Sequence, residues 1–402
     1  MTGREIALRV YRAALRTADA RAMTRDALTG YDAASCHVLA VGKAACAMAA
    51  GAFDALGARI AGDSFVITKH GYAEPLPGVF TCLEGGHPLP DADSVASTKA
   101  AMRMVESLSP DDRLLMLVSG GGSAIFEEPA VELAALSAIT DRMMRAGADI
   151  YELNAVRRRL SRVKGGRTAA RCRAPIRCLM LSDVLGDDPS VIASGPCYPA
   201  KEDDDAIRAI AEKYALTDIP ALFQPVEPVR TTVTGAIIGS VKRLCETAKR
   251  EAEALGLDAR IVTDSLTGDA EAAALRVVQE IEAAPAGACL LYGGETTVNV
   301  RGSGLGGRAQ QLALACACAL RDPDVTILSG ASDGSDGPTD AAGGVVNADT
   351  AEEMRARGVD PDAYLANNDA YHALDRVNAL LRTGPTGSNI NDIVIAIREP
   401  HF

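Results

Sequence analysis

Tryptophan is absent from the 402 residues, and aromatic residues make up only 4%. The core must therefore be built from Ala, Val, Leu and Ile, which suits helices packed closely on a sheet. No apolar run reaches the roughly eighteen residues of a membrane span, so neither a transmembrane helix nor a membrane partner is expected. Positive charge is in short supply: 41 Lys and Arg against 53 Asp and Glu leave a formal net charge of -12. Nucleic-acid binding needs a basic footprint, so no nucleic-acid partner is expected; one anionic small molecule in a locally basic cleft stays compatible. The ten cysteines never fall as C-x-x-C. Cys316 and Cys318, the one close pair, fit no zinc template. With no signal peptide over residues 1–12, the thiols read as reduced and the expected compartment is the cytoplasm. There is no G-x-x-x-x-G-K-[ST], hence no Walker P-loop, and no Ser-His-Asp or Cys-His order that would suggest a hydrolytic triad.

What is present describes a folded globular protein, at 48% apolar and 23% charged residues, of a length that exceeds one hydrophobic core. Residues 4–18 carry Ile6, Val10, Ala13 and Ala14 at helical spacing. Short apolar runs then alternate with helical periods. Strands are predicted at 37–41, 65–68, 113–118 and 178–181, then at 232–238, 260–263, 288–292, 325–328 and 393–397. Runs of this kind predict an α/β fold with mainly parallel strands covered on both faces. Pro220, Pro225 and Pro228 break the rhythm and place a linker there, giving domains 1–228 and 229–402.

In open α/β sheets, ligands sit beyond the carboxyl ends of the strands, so the residues following each apolar run carry the information. Val41-Gly42-Lys43-Ala44 puts a lysine at a strand-to-helix turn, where it is either solvated or reaches a phosphate as a mobile point charge. Ser119-Gly120-Gly121-Gly122-Ser123 spends backbone entropy on three glycines, a cost that a phosphate or carboxylate cradle explains. Asp183, Asp187 and Asp188 could hold Mg2+ through one or two carboxylates, or form Asx turns and caps.

Gly302, Gly304 and Gly307 satisfy G-x-G-x-x-G, a dinucleotide fingerprint. However, the preceding stretch alternates (Thr297, Val298, Asn299, Val300) as a half-exposed strand does, and the pattern sits late in the chain. Arg308, opening a helix after Glu295 and these glycines, better suits an oxyanion or carboxylate clamp. Asp333 and Asp336, in residues 329–340, do not follow an EF-hand pattern and have either a turn role or a substrate or metal role. The basic run 157–177, including Lys164 and Arg167, reads as a solvated helix face with one or two members near phosphate. His87 is the one histidine in a glycine-rich loop.

These motifs resemble the class II glycerate kinases, with a C-terminal part similar to the MOFRL domain. The resemblance rests on Val41-Gly42-Lys43-Ala44, Glu84-Gly85-Gly86-His87-Pro88, residues 118–123, Leu153-Asn154-Ala155-Val156-Arg157 and residues 160–166. It continues through residues 182–194, 293–298, 306–311, 333–340 and 386–392. The chain departs from the family at Ala309-Gln310 and at Pro199-Ala200.

The resemblance implies a Rossmann-like N-terminal domain, a MOFRL-type C-terminal domain and an active site in the interdomain cleft. It further implies transfer of the ATP γ-phosphoryl to D-glycerate, giving 2-phosphoglycerate and ADP, with Mg2+ or another divalent cation. Members have also been labelled hydroxypyruvate reductases, so an NAD(P)H-dependent reductase is the alternative. On this reading Lys43 and Arg308 balance the transferring phosphate, and Ser119, Gly120, Gly121, Gly122 and Ser123 cradle phosphate or carboxylate. Asp183, then Glu295, orients the hydroxyl or holds the metal. Asn154 and Lys164 are second contacts, and Asp188, Asp333 and Asp336 complete the metal candidates. The oligomeric state is open, a homodimer included.

Overall fold

A computed structural model describes residues 1–16, 18–184, 186–199, 203–225, 227–384, 386 and 390–400. Ala200 and the motif residues Gly387, Ser388 and Asn389 lie outside the described residues, as does Leu185. The chain forms two compact units, one of Ala20–Ile238 and one of Met1–Asp19 with Gly239–Phe402.

The first unit is built on β1 (His37–Val41), β2 (Ser64–Lys69), β3 (Phe80–Gly85), β4 (Leu114–Val118), β5 (Ile176–Leu181) and β6 (Val233–Gly239). Their order is β3-β2-β1-β4-β5-β6, and the four pairings from β3 to β5 are parallel. This is the strand order of Rossmann sheets, with the reversal of direction falling between β1 and β4. All five residues of β4 are buried, as are four of five in β1, because helices cover both faces.

The second sheet comprises β7 (Asp258–Leu266), β8 (Ala288–Gly294), β9 (Val325–Ala331), β10 (Gly343–Asn347), β11 (Leu380–Leu381) and β12 (Asp392–Arg398), in the order β11-β10-β9-β12-β8-β7. It is mixed: β7 and β8 are parallel, whereas β12 runs antiparallel to both neighbours, β8 and β9. The helix Arg308–Ala319, whose residues 309–317 are all buried, packs into the core of this unit.

Two elements differ from the sequence-based division at 228/229. The strand after the Pro-rich stretch, β6, extends the first sheet rather than starting the second. The helix Gly3–Arg16 belongs with the second unit, because Tyr11 on its apolar face is fully buried and its hydroxyl donates to Ala331 O at 2.7 Å. Amphipathic spacing shows that a helix has an apolar face; it does not show which core receives it.

Candidate functional site

In the first unit, the loops that follow β1, β3, β4 and β5 gather at the crevice where strand order reverses. The Lys43 N–H donates to Gly120 O at 2.9 Å, and the Ala44 N–H donates to Ser119 Oγ at 3.1 Å. Ser119 Oγ in turn donates to Val41 O at 3.3 Å. Gly121 takes a left-handed conformation (φ 82°) ahead of the short helix Gly122–Ile125. A Cβ there would sit 3.1 Å from both Lys43 Cγ and His87 Cδ2, so the bare backbone is what lets the three residues crowd together. Ser123 Oγ meets Ser194 Oγ at 2.8 Å.

The electrostatics of this cluster are distinctive. Lys43 is half-buried and makes no salt bridge among the described residues. Burial raises the Asp183 carboxyl above its usual range, and the nearby Lys43 ammonium opposes that. Burial, reinforced by Lys43 and Lys69, lowers His87 to about 4, so its imidazole is neutral at pH 7. The amide N–H groups of Gly120, Gly121 and Ser123 have no acceptor within the chain among the described residues. A cation beside unpaired backbone donors is the composition of an anion site.

In the second unit, a cavity of about 460 Å3 is lined by residues that include Glu295, Thr297, Gly307, Arg308, Gln311 and Asp336. Arg308 opens its helix and is held on two sides. Nε and Nη2 form a fork on Asp392, at 2.6 and 3.1 Å, and Nη1 pairs with Glu295 Oε1 at 2.6 Å. These carboxylates outweigh the burial of Arg308 and hold its guanidinium firmly charged. Asp336 is 3% exposed and accepts the Gln310 N–H at 2.8 Å, at the start of the same helix. Burial raises its carboxyl to about 7, with the negative Asp392 adding to the shift.

The sequence-predicted residues thus separate by environment. Lys43, Gly120, Gly121, Gly122, Ser123 and Asp183 share the first unit's crevice, while Glu295, Arg308 and Asp336 share the second unit's cavity. Ser119 is engaged in bracing the Lys43 turn. Asn154 is half-buried on the helix Ile150–Arg159, and its side chain makes no hydrogen bond among the described residues. Lys164 is not on a solvated face: it is 1% exposed, and its ammonium pairs with the equally buried Glu127.

Within its own unit, each of two metal candidates is engaged in a local turn. Asp188 Oδ1 accepts the N–H and Oγ of Ser190, at 3.0 and 2.8 Å, and Asp333 Oδ1 accepts the Ser335 N–H at 3.0 Å; both are Asx-type turns. Among the described residues, the group of three potential ligands that does form is His70, Asp91 and Asp93. There Asp91 caps the helix Ala92–Ser107. Gly302 and Gly304 press against Asn367 and Asp369, so packing accounts for the glycines of the G-x-G-x-x-G pattern.

Two residues were not singled out as site residues from sequence. His87 carried a signal in its glycine-rich loop. Asp392 closes the resemblance motif 386–392 but follows no apolar run: in the antiparallel β12, the first residue lies opposite Gly294 and Ala331 at the ends of β8 and β9.

Asp336 gives a pH prediction. An unfolded aspartate ionises near 4, whereas folded Asp336 keeps its proton to about 7. Between those values the unfolded chain has lost the proton and the folded chain has not, so this residue removes stability as pH rises. His87 works the opposite way from about 4 to about 6.5, its neutral form being favoured by folding. Asp336→Asn isolates the first effect: its Tm relative to wild type should rise between about pH 5 and about pH 7. A flat difference would mean that Asp336 is ionised across that range.

Comparison with known proteins gives two family matches: a domain of unknown function (DUF4147) over residues 6–226 and the MOFRL family over residues 288–392. The chain is 42% identical to a D-glycerate 2-kinase of Thermotoga maritima over 90% of each chain. It is 37% identical to a glycerate 2-kinase of Pyrococcus horikoshii, over 90% of this chain and 87% of that one. The crystal structure of a glycerate kinase from Thermotoga maritima superposes with a TM-score of 0.92 at 38% identity, covering 98% of this chain and 99% of the other.

Proposed function

Because the chain belongs to the family of class II glycerate kinases with a MOFRL domain, we propose that it transfers the γ-phosphoryl of ATP to the 2-hydroxyl of D-glycerate. It is an enzyme of the glycerate 2-kinase type, and its products are 2-phosphoglycerate and ADP. The observation that carries the site assignment is the half-buried Lys43 beside the amides of Gly120, Gly121 and Ser123, the lysine without a salt bridge and the amides without an acceptor among the described residues.

Phosphoryl transfer asks for positioning and charge neutralisation more than for covalent chemistry. In this reading the Lys43 ammonium balances charge on the transferring phosphoryl group, and the three amides hold its oxygens or the glycerate carboxylate. Gly122 lets the loop close against Ala193. His87, being neutral, offers a hydrogen bond without adding charge. Asp183 orients the glycerate hydroxyl and accepts its proton as the oxygen–phosphorus bond forms; Glu295 is the second candidate for this task. Arg308 supplies fixed positive charge, and Asp392 sets the angle of its fork.

A divalent cation accompanying ATP fits the donor set. Mg2+ binds through one or two protein carboxylates, with phosphate and water completing its shell. Asp183 is a carboxylate whose ionised form burial disfavours and a cation would favour. When bound, the cation would neutralise phosphate oxygens.

The reductase alternative rests on the label that some family members carry; the glycines at 302–307, the one dinucleotide-like pattern that would support it, are used in this fold for packing. The test is ADP release from Mg-ATP, coupled to a spectroscopic readout, with and without D-glycerate, followed by NMR of the product. Glycerate-dependent ADP with phosphorus on the C2 oxygen is the expected result. Glycerate-independent ADP release, no release, or phosphorus on C3 would overturn the reading.

A further inference from the structure

Ten free cysteines are distributed through the fold, and most serve as small core residues. Cys46 and Cys82 differ. Cys46 lies on the first turn of the helix Ala45–Leu56, three residues past Lys43, and Cys82 lies on the edge strand β3. Their Sγ atoms are 3.9 Å apart, and Cys82 is only partly buried. Neither thiol has a part in phosphoryl transfer.

We propose that Cys46 and Cys82 form a reversible disulfide, made by a peroxide oxidant, whose closure displaces Lys43 and switches the enzyme off.

The chemistry balances within the pair. The Cys46 thiolate attacks one oxygen of hydrogen peroxide, the O–O bond breaks, and Cys46 sulfenic acid and hydroxide result. The Cys82 thiolate then attacks the Cys46 sulfur and expels a second hydroxide, forming the S–S bond. The two thiol protons convert the hydroxides to two waters; two electrons leave the thiols and reduce the peroxide. A dithiol reductant reverses the process by thiol–disulfide exchange and is itself oxidised to a disulfide.

The site suits the first step. The two thiols share one S–H···S hydrogen bond, which lowers Cys46 below the usual range and raises Cys82; burial and the facing Glu74 and Glu84 oppose the lowering of Cys46, and the Glu74 backbone adds to it. A helix N-terminus also favours a thiolate. Cys46 is itself 3% exposed, so oxidant reaches the pair from the side of the partly buried Cys82; Cys178 and Cys197, which also interact, are each 1% exposed and have no such open member.

Closure has a mechanical consequence. A disulfide needs its sulfurs about 2 Å apart, so side-chain rotation together with movement of the helix start or of β3 must take up nearly half of the present separation. The helix start is tied to the Lys43 turn, which is held by Gly120 O and Ser119 Oγ. Edge strand β3, paired only through β2 in the sheet, anchors the other end.

The experiment treats the full-length protein with hydrogen peroxide, then maps disulfide-linked peptides by mass spectrometry and measures kinase activity before and after dithiothreitol. The peptide map stands independently of the glycerate kinase reading; only the activity readout rests on it. The expected result is a Cys46–Cys82 linked peptide, a loss of at least about tenfold in kcat, and recovery on reduction, with Cys82→Ser retaining activity under peroxide. Three results would overturn the proposal: no linked peptide in the wild type, a link formed with activity within about twofold of the reduced enzyme, or equal inactivation of Cys82→Ser. The wild-type map decides the matter even if the variant folds poorly.

Discussion

Lys43→Ala should lose about a thousandfold in kcat while its melting temperature stays near that of wild type. The reasoning begins with the lysine's surroundings. Most half-buried cations in a folded protein sit on a carboxylate, and here Arg308 and Lys164 both do. Lys43 makes no salt bridge among the described residues, and its near neighbours are a neutral imidazole and an Asp183 whose ionised form burial disfavours. Removing its ammonium therefore strips no internal ion pair, and the fold should tolerate the change. The transition state would lose a charge aimed at the transferring phosphoryl group, so the deficit belongs in kcat more than in KM for glycerate. Lys43→Arg should recover only part of the activity, because a planar fork does not occupy the place of a compact ammonium. If Lys43→Ala and Arg308→Ala both kept kcat/KM within about threefold of wild type, the charge-balancing assignment would fail. Of the two, Lys43 is the cleaner test. Arg308→Ala also leaves Asp392 buried without its partner, so its loss mixes chemistry with stability.

The parts of this fold that were legible in the sequence are those whose burial is complete. β1, β4, β5, β8 and β9 read as continuous apolar runs because both faces are covered, and the glycine-rich loops that follow them do carry the candidate groups. β3 escaped notice as an edge strand with only its two ends fully buried, and its residues Thr81 to Glu84 show no clear alternation. β10 begins Gly343-Gly344, which reads as a turn; in the fold these glycines admit the close approach of Ser329 and Ala313.

Missing the antiparallel part of the second sheet had a cost at the site. Searching only beyond the carboxyl ends of strands finds Glu295 and Asp336 but passes over Asp392, which enters the same cluster from the amino end of β12. Periodicity also cannot tell a basic residue on a solvated helix face from one drawn inward to a carboxylate. The partner Glu127 is remote in sequence and sits in no recognisable pattern with Lys164.

That buried pair supports the largest stability prediction. Glu127 and Lys164 are both about 1% exposed, and the Glu127 N–H is fixed by Thr98 Oγ1 at 2.9 Å. Burial lowers the Lys164 ammonium below its usual range, and the Glu127 carboxylate opposes that shift. Glu127→Ala leaves the lysine enclosed without a counter-charge, and removing one partner of such a pair costs about 3–5 kcal/mol. The lysine can avoid part of this by giving up its proton, so the loss should be larger at acidic pH, where deprotonation is harder.

Replacing both residues together, as Glu127→Leu with Lys164→Met, should restore most of the stability, since a well-packed apolar pair can match a buried ion pair. Denaturant unfolding of the two variants checks both statements; a Glu127→Ala protein within about 1 kcal/mol of wild type would show that water reaches the pair. The double variant also decides what Lys164 contributes to function. If it acts only as the partner of Glu127, the folded double variant should phosphorylate glycerate at close to the wild-type rate. A folded double variant with a collapsed kcat would return Lys164 to the active site.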